Sequence, residues 1–266
     1  MIFGFIGTGN MGGALAKAAA KSLDPQQILL SNKTFSKAQA LADQLKCRVC
    51  SAEDVAREAE LVFLGVKPHM MADLLAGLAP ILSERKRPFC LVSMAAGLTM
   101  ADIQRLAGAA YPVIRIMPNT PVSVGQGVIL YDKTENVPQA MLEEFLWSMD
   151  QAGLLDPLPE KLIDAASAVA GCGPAFAALF MEALADGGVA CGLPRAKAME
   201  YAAKMLLGTA TLALESGQHP GALKDAVCSP GGSTIAGVRA LEQGAFRAAA
   251  MNAVEAAFHR TKELGK

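Results

Sequence analysis

The stretch Met1-Ile2-Phe3-Gly4-Phe5-Ile6-Gly7-Thr8-Gly9-Asn10-Met11-Gly12 decides the fold. A short apolar run passes straight into glycines at G-x-G-x-x-G spacing and then into alanine-rich, helix-forming residues. Each glycine answers a different demand: Gly7 a tight turn, Gly9 the approach of a pyrophosphate to bare backbone, Gly12 the packing of helix on strand. The helix start then offers amides and a positive dipole end to an anion. Chance spacings arise among 25 glycines, so an ordinary glycine turn is the competing reading. The strand before and the helix after favour a dinucleotide site built by Gly7, Thr8, Gly9, Asn10 and Met11.

Working outward, apolar runs of the same kind recur at 28–30, 61–66, 89–92 and 113–116, as strands buried on both faces require. Stretches of helical composition lie between or after them, at 11–22, 36–45, 53–58, 69–82 and 100–107. Strand-helix alternation predicts an α/β fold, a Rossmann-like doubly wound sheet. One further strand is expected over 125–131 and a helix over 138–150, started by Pro138. Asp156-Pro157-Leu158-Pro159 reads as an interruption, which divides a dinucleotide-binding domain at 1–157 from a second domain at 158–266. From Lys161 onward no strand pattern appears, only alanine-rich helix broken by glycine and proline. This poor complement of aromatics predicts a core completed across a dimer.

The residues after the second strand set the cofactor. NAD enzymes place an acid here on the ribose hydroxyls, but this chain reads Ile28-Leu-Leu-Ser-Asn32-Lys33-Thr34. Asn32, Lys33 and Thr34 suit the extra phosphate of NADP, so NADPH is expected, with NADH possible. A solvated turn with a surface lysine is the plain alternative. Val66-Lys67-Pro68 and Ala95-Ala96 follow two further strands, at carboxyl ends where open α/β sheets bind ligands.

With 24 Lys and Arg against 25 Asp and Glu, formal net charge −1, no electrostatic case exists for nucleic acid. A small-molecule substrate is the expected partner. Met1 runs directly into the first strand, without the length of a signal peptide, and no apolar run was expected to reach the about 18 residues of a membrane span. A cytoplasmic protein is expected, with no membrane partner. The six cysteines are expected to be reduced thiols; Cys47-Arg-Val-Cys50 lacks a second pair to complete a zinc site. His69, His219 and His259 read as structural.

The second half carries a more specific pattern. Val66-Lys67-Pro68, Ser93 to Gly97, Arg115-Ile-Met-Pro-Asn-Thr-Pro121, Gly171-Cys-Gly-Pro174, Gly187-Gly188-Val189, Gly192-Leu-Pro-Arg195 and Leu223-Lys-Asp-Ala-Val-Cys-Ser-Pro-Gly-Gly-Ser-Thr234 together closely resemble the pyrroline-5-carboxylate reductase family. The resemblance runs nearly end to end. It implies NADPH-dependent reduction of 1-pyrroline-5-carboxylate to L-proline, in a dimer or a ring of dimers, with no metal. It assigns Thr234 and Ser229 to catalysis, and Gly231, Gly232, Ser233 and Thr234 to the substrate. Independently, Pro230-Gly231-Gly232 is a permissive turn into a helix, where free amides form a nest for a carboxylate; a helix start without a ligand is the alternative. Arg115 reads as an ion-pair partner. Glu160 is expected to face the substrate, because the family carries an acid nearby, or else to cap a helix.

The chain departs from the family's pattern at Cys172, at Gly217 in an acidic substrate-side position, at Ala226, and at Ser51-Ala52 near the adenosine. Rival readings are a β-hydroxyacid dehydrogenase, a deazaflavin-NADP oxidoreductase and a non-catalytic nicotinamide sensor. The first would carry a catalytic lysine in a long helix, and residues 162–190 contain none. The intact Ser229 to Thr234 string argues against the sensor. Replacing Lys33 by Glu should weaken NADPH binding far more than NADH binding; titration of both cofactors checks this, and an unchanged affinity ratio would count against the phosphate role.

Overall fold

The computed structural model describes residues 1–264. Strands β1 (Phe3–Ile6), β2 (Ile28–Ser31), β3 (Arg48–Val49), β4 (Leu61–Leu64), β5 (Cys90–Ser93), β6 (Val113–Pro118), β7 (Gly127–Lys133) and β8 (Gly153–Pro157) form one sheet. Their order is β3-β2-β1-β4-β5-β6-β7-β8. All neighbours are parallel except the antiparallel pair β6 and β7. The chain order reverses between β1 and β4, which opens a crevice at their carboxyl ends.

β1, β2, β4, β5 and β6 are buried throughout, and their side chains alternate between two cores. Phe3, Phe5, Leu61, Phe63 and Val92 join one with α1 (Asn10–Ala19), α2 (Phe35–Leu45) and α6 (Gln139–Met149). Val62, Leu64 and Leu91 join the other with α3 (Ala52–Glu58), α4 (Met71–Ser83) and α5 (Met100–Ala107). The Phe5 and Phe63 rings stack with centroids 4.4 Å apart. Burying one such side chain contributes about 1.5–3 kcal/mol, which explains why runs of only four residues hold as strands.

The chain separates into two compact units, 1–172 with the end of the last helix from Ala257 onward, and Gly173–Ala256. The sequence places the division at 157/158; two elements explain the difference. β8 forms across Gly153–Pro157, where Asp156-Pro157-Leu158-Pro159 reads as a break. It is an edge strand paired only with β7, so the missing amide of Pro157 removes no ladder bond. Next, α7 (Glu160–Ala170) packs on the first unit: Ile163 is fully buried against Met117 and Leu130. Asn119 Nδ2 also donates to the Ala170 carbonyl at 3.0 Å.

The second unit holds α8 (Gly173–Ala190), α9 (Arg195–Ser216), α10 (Pro220–Ala226), α11 (Ser233–Gln243) and the start of α12 (Phe246–Leu264). α8 and α9 approach closely at Gly188, where an added Cβ would lie 3.1 Å from that of Ala198. The buried residues of this unit are Ala185, Ala198 and Ala202, whereas Leu179 is 69% exposed and Leu214 85%. Residues 165–181 carry no charge, and the span Glu160–Ala190, with mean hydropathy 1.6, is long and apolar enough to cross a membrane by length and composition. That corrects the expectation from sequence. The break at Gly171-Cys172 divides this apolar length between α7, which serves the sheet core, and α8, whose second half carries Glu182 and Asp186.

Burial pushes the thiols of Cys47 and Cys50 up, and that of Cys90 up to about 12; all six cysteines are free. At the crevice, β1 and β4 meet backbone to backbone: a Cβ on Gly65 would fall 2.5 Å from the Gly7 carbonyl oxygen. Gly65→Ala should therefore cost about 1–3 kcal/mol of stability, read from the urea unfolding midpoint; a midpoint equal to wild type would show that the contact yields freely.

Candidate functional site

The crevice is a cleft of about 960 Å³ bordered by the glycine loop, the turn after β2 and the turn after β4. Its floor is steric. Gly7 has φ +94°, which a side chain rarely adopts, and a Cβ on Gly12 would lie 2.2 Å from the Gly7 oxygen. Gly9 differs: nothing lies within 4 Å of where its Cβ would stand. No protein atom requires a glycine there, but a ligand seated on the backbone would.

α1 begins at Asn10 with Gly9 as its cap, no side-chain cap bond and no acid in its first turn. Its first amides are free for an anion. Beside them the Thr8 hydroxyl is buried without a hydrogen-bond partner. A buried unpaired hydroxyl costs free energy, so this atom fits a site that a bound oxygen completes.

Of the residues predicted for the cofactor, Gly7, Gly9, Asn32, Lys33, Thr34, Val66 and Lys67 line the cleft. Thr8, Asn10 and Met11 continue the same loop into α1. Pro68 opens a 3-10 turn, Pro68–Met70, beside it. Asn32 Nδ2 donates to the Thr34 carbonyl at 3.1 Å, which holds the turn closed. Thr34 caps α2 without a side-chain bond, leaving its hydroxyl free. Lys37 and the exposed ring of Phe35 also border this end and were not predicted, nor was Gly65. Lys37, in the first turn of α2 four residues after Lys33, and Gly65, the glycine following β4 beside β1, were legible as spacing. The carboxylate on the lining is Asp73, in the first turn of α4.

Ala95 and Ala96 follow β5. Ala95 is buried and its amide donates to Ser93 Oγ at 3.4 Å; Ala96 packs on the cluster of Met117, Leu130 and Ile163. The loop turns at Gly97, φ +78°, and ends at the capping box of Thr99 and Asp102. Hydrogen bonds from Arg105 and then from Thr99 hold the Asp102 carboxyl below the usual carboxylate range.

Of the two roles expected for Glu160, facing the substrate or capping a helix, its contacts match the second, at the start of α5. Its Oε1 accepts from the Met100 amide at 2.7 Å and from Arg115 Nη1 at 3.3 Å. Arg115, 2% exposed, also pairs with Asp164 at 2.5 Å. A nearly buried guanidinium needs carboxylates around it, so Glu160 and Asp164 serve Arg115. The ion-pair reading of Arg115 thereby holds.

In the second unit, Gly231 has φ +71° and Gly232 caps α11 without a side-chain bond. A Cβ on Gly232 would meet Ser229 Oγ at 2.4 Å. Ser229, Ser233 and Thr234 are exposed. Gly217 ends α9 at φ +62°, a conformation glycine adopts without strain. His219 caps α10 by accepting the Gly221 amide at 3.0 Å on Nδ1, as a structural histidine does.

Residues 160–264 match the family described as pyrroline-5-carboxylate reductase dimerisation. Residues 2–97 match the family described as NADP oxidoreductase, coenzyme F420-dependent. A pyrroline-5-carboxylate reductase from Pisum sativum is 41% identical over 263 residues, 98% of this chain and 95% of the relative. That of Escherichia coli (strain K12) is 38% identical over 266 residues, 99% and 98% of the two chains. The crystal structure of Plasmodium falciparum pyrroline carboxylate reductase with NADP bound is similar with a TM-score of 0.88, 31% identity, and coverage of 100% of this chain and 98% of that one.

Thr8→Val keeps the shape of the side chain and removes the orphaned hydroxyl. The ligand-free protein should gain up to about 1 kcal/mol, read as a raised melting temperature, while NADPH binds more weakly; a lower melting temperature with unchanged affinity would contradict this account of Thr8.

Proposed function

The chain belongs to the pyrroline-5-carboxylate reductase family, and we propose how its own residues run the NADPH-dependent reduction of 1-pyrroline-5-carboxylate to L-proline, the last step of proline synthesis. The observation that carries the reading is the bare start of α1, capped by Gly9 next to the unpartnered Thr8 hydroxyl. Pyrophosphate oxygens take the amides from Gly9 to Met11 and that hydroxyl. Asn32, Lys33 and Thr34, with Lys37, take the 2′-phosphate, which favours NADPH over NADH. Val66, Lys67 and Pro68 border the cofactor farther along, and Ala95 and Ala96 border its nicotinamide end.

When bound, the reduced nicotinamide supplies a hydride to the imine carbon. The second unit supplies the remaining roles. Gly231, Gly232 and Ser233 present amides to the substrate carboxylate, favoured by the positive φ of Gly231 and the uncapped start of α11. Thr234 hydrogen-bonds the ring nitrogen, which ends the reaction with one more proton as imine becomes amine. Ser229 stands beside Gly232 and holds the turn in which Thr234 acts. This divides the work between a dinucleotide-binding region, 1–157, and a substrate-binding and dimerisation region, 158–266.

Self-association accompanies this reading. The dimerisation match covers 160–264, and a second unit that exposes Leu179, Leu207, Leu212 and Leu214 gains a core from another copy. The assembly is a dimer or a ring of dimers. Free cysteines throughout suit a reducing compartment such as the cytoplasm.

Thr234→Ala should lower turnover about 10-fold to 1,000-fold if the hydroxyl acts in the transition state, measured as NADPH oxidation driven by pyrroline-5-carboxylate. Turnover near wild type would remove Thr234 from the chemistry, and a wild-type protein inactive on the imine would overturn the function itself.

A further inference from the structure

The loop Met94-Ala95-Ala96-Gly97-Leu98-Thr99 joins β5 to α5, and its two ends are held unequally. At the strand end the Ala95 amide reaches Ser93 Oγ over 3.4 Å, and the Leu98 amide reaches the Ala95 carbonyl over 3.5 Å. These are long bonds. At the helix end the Met100 amide donates to Glu160 Oε1 at 2.7 Å, across 60 residues of sequence.

Glu160 is itself held from two directions, and one of its holders is anchored in turn. Its own amide donates to Asp132 Oδ2 at 2.6 Å, Arg115 donates to its carboxylate, and Arg115 is tied to Asp164 one turn along α7. Arg115 pairs in register with Ser93 on one side and Asp132 on the other. The same helix touches the loop again through Ile163, in the cluster on which Ala96 packs.

We propose that Glu160 is a positioning residue for hydride transfer: by accepting the Met100 amide it fixes the 94–99 loop at the height where the nicotinamide rests. The proposal rests on the reading that Ala95 and Ala96 border the nicotinamide end of the cofactor. The adenosine end lies with Lys33 and Phe35, on the other side of β1 from the loop. Glu160 therefore acts on one end of the cofactor alone.

Two variants and two ligands test it. Glu160→Ala removes the acceptor. Met100→Pro removes the donor along with the Met100 side chain that packs on the second core, and Met100→Ala, which keeps the amide, controls for that lost packing: Met100 is the first residue of α5, where proline fits, and Thr99 at φ −81°, ψ 165° already has the extended backbone that proline demands of its predecessor. Glu160→Gln keeps an acceptor oxygen and serves as rescue. Calorimetry with NADPH and with adenosine 2′,5′-bisphosphate, which lacks the nicotinamide, should show NADPH weakened about 10-fold in Glu160→Ala and Met100→Pro. The bisphosphate should stay within about twofold in both, and Glu160→Gln should match wild type for both ligands. Equal weakening of the two ligands, or no weakening of either by Met100→Pro, overturns the proposal. Wild type that binds the bisphosphate but gains nothing from the nicotinamide overturns the reading on which it rests.

Discussion

Everything at the nucleotide end depends on one contact, the backbone of Gly7 against Gly65 and Gly12. Side chains at these positions would stand 2.2 to 2.7 Å from backbone atoms, so the three residues must all be glycine for β1, β4 and α1 to converge. The contact consumes no hydrogen-bonding group of its own: the Gly65 amide still donates to Ile6 and the Gly7 amide to Ser31. Convergence also points the uncapped start of α1 into the cleft and brings the turns after β2 and β4 to its rim. A cleft that suits a dinucleotide is the by-product of a packing solution in which three backbones pass without side chains between them.

The other end of the sheet is organised by charge. Arg115 sits on a central strand with Nε unpartnered, and removing such an ion from water is costly unless carboxylates compensate. Glu160 and Asp164, one turn apart on α7, provide that compensation. They also draw α7 onto the sheet, which moves the edge of the first unit beyond its last strand. The charge that the fold had to neutralise thus fixes a helix, and the helix holds the loop at the end of β5.

The second unit obeys a different constraint. Its helices pack on glycine and alanine, which permits close approach but buries little apolar area. Large apolar side chains remain on its faces, at a scale a monomer rarely tolerates. The match of residues 160–264 to a dimerisation family supports self-association as the source of the missing burial.

Most of the sheet was legible in the sequence because strands buried on both faces must be apolar without interruption, and because glycine spacing at Gly7 to Gly12 acts within one turn of chain. The turn at Asn32 to Thr34 was legible for the same local reason, as were the match to a family and the permissive turn at Gly231 and Gly232 that opens α11. β8 was not, since whether Pro157 breaks a strand depends on which neighbour the amide would have faced. Nor was the task of Glu160, whose partners lie 45 and 60 residues away. Sequence by itself determined the periodicities, the tight turns and the chemical classes of the ligands, because these arise from sterics and charge over a few consecutive residues. Tertiary structure alone decided which carboxylate answers to Arg115, which hydroxyl is left without a partner and where α7 belongs, because the cost of a buried polar group is set only when distant segments have met and water has left.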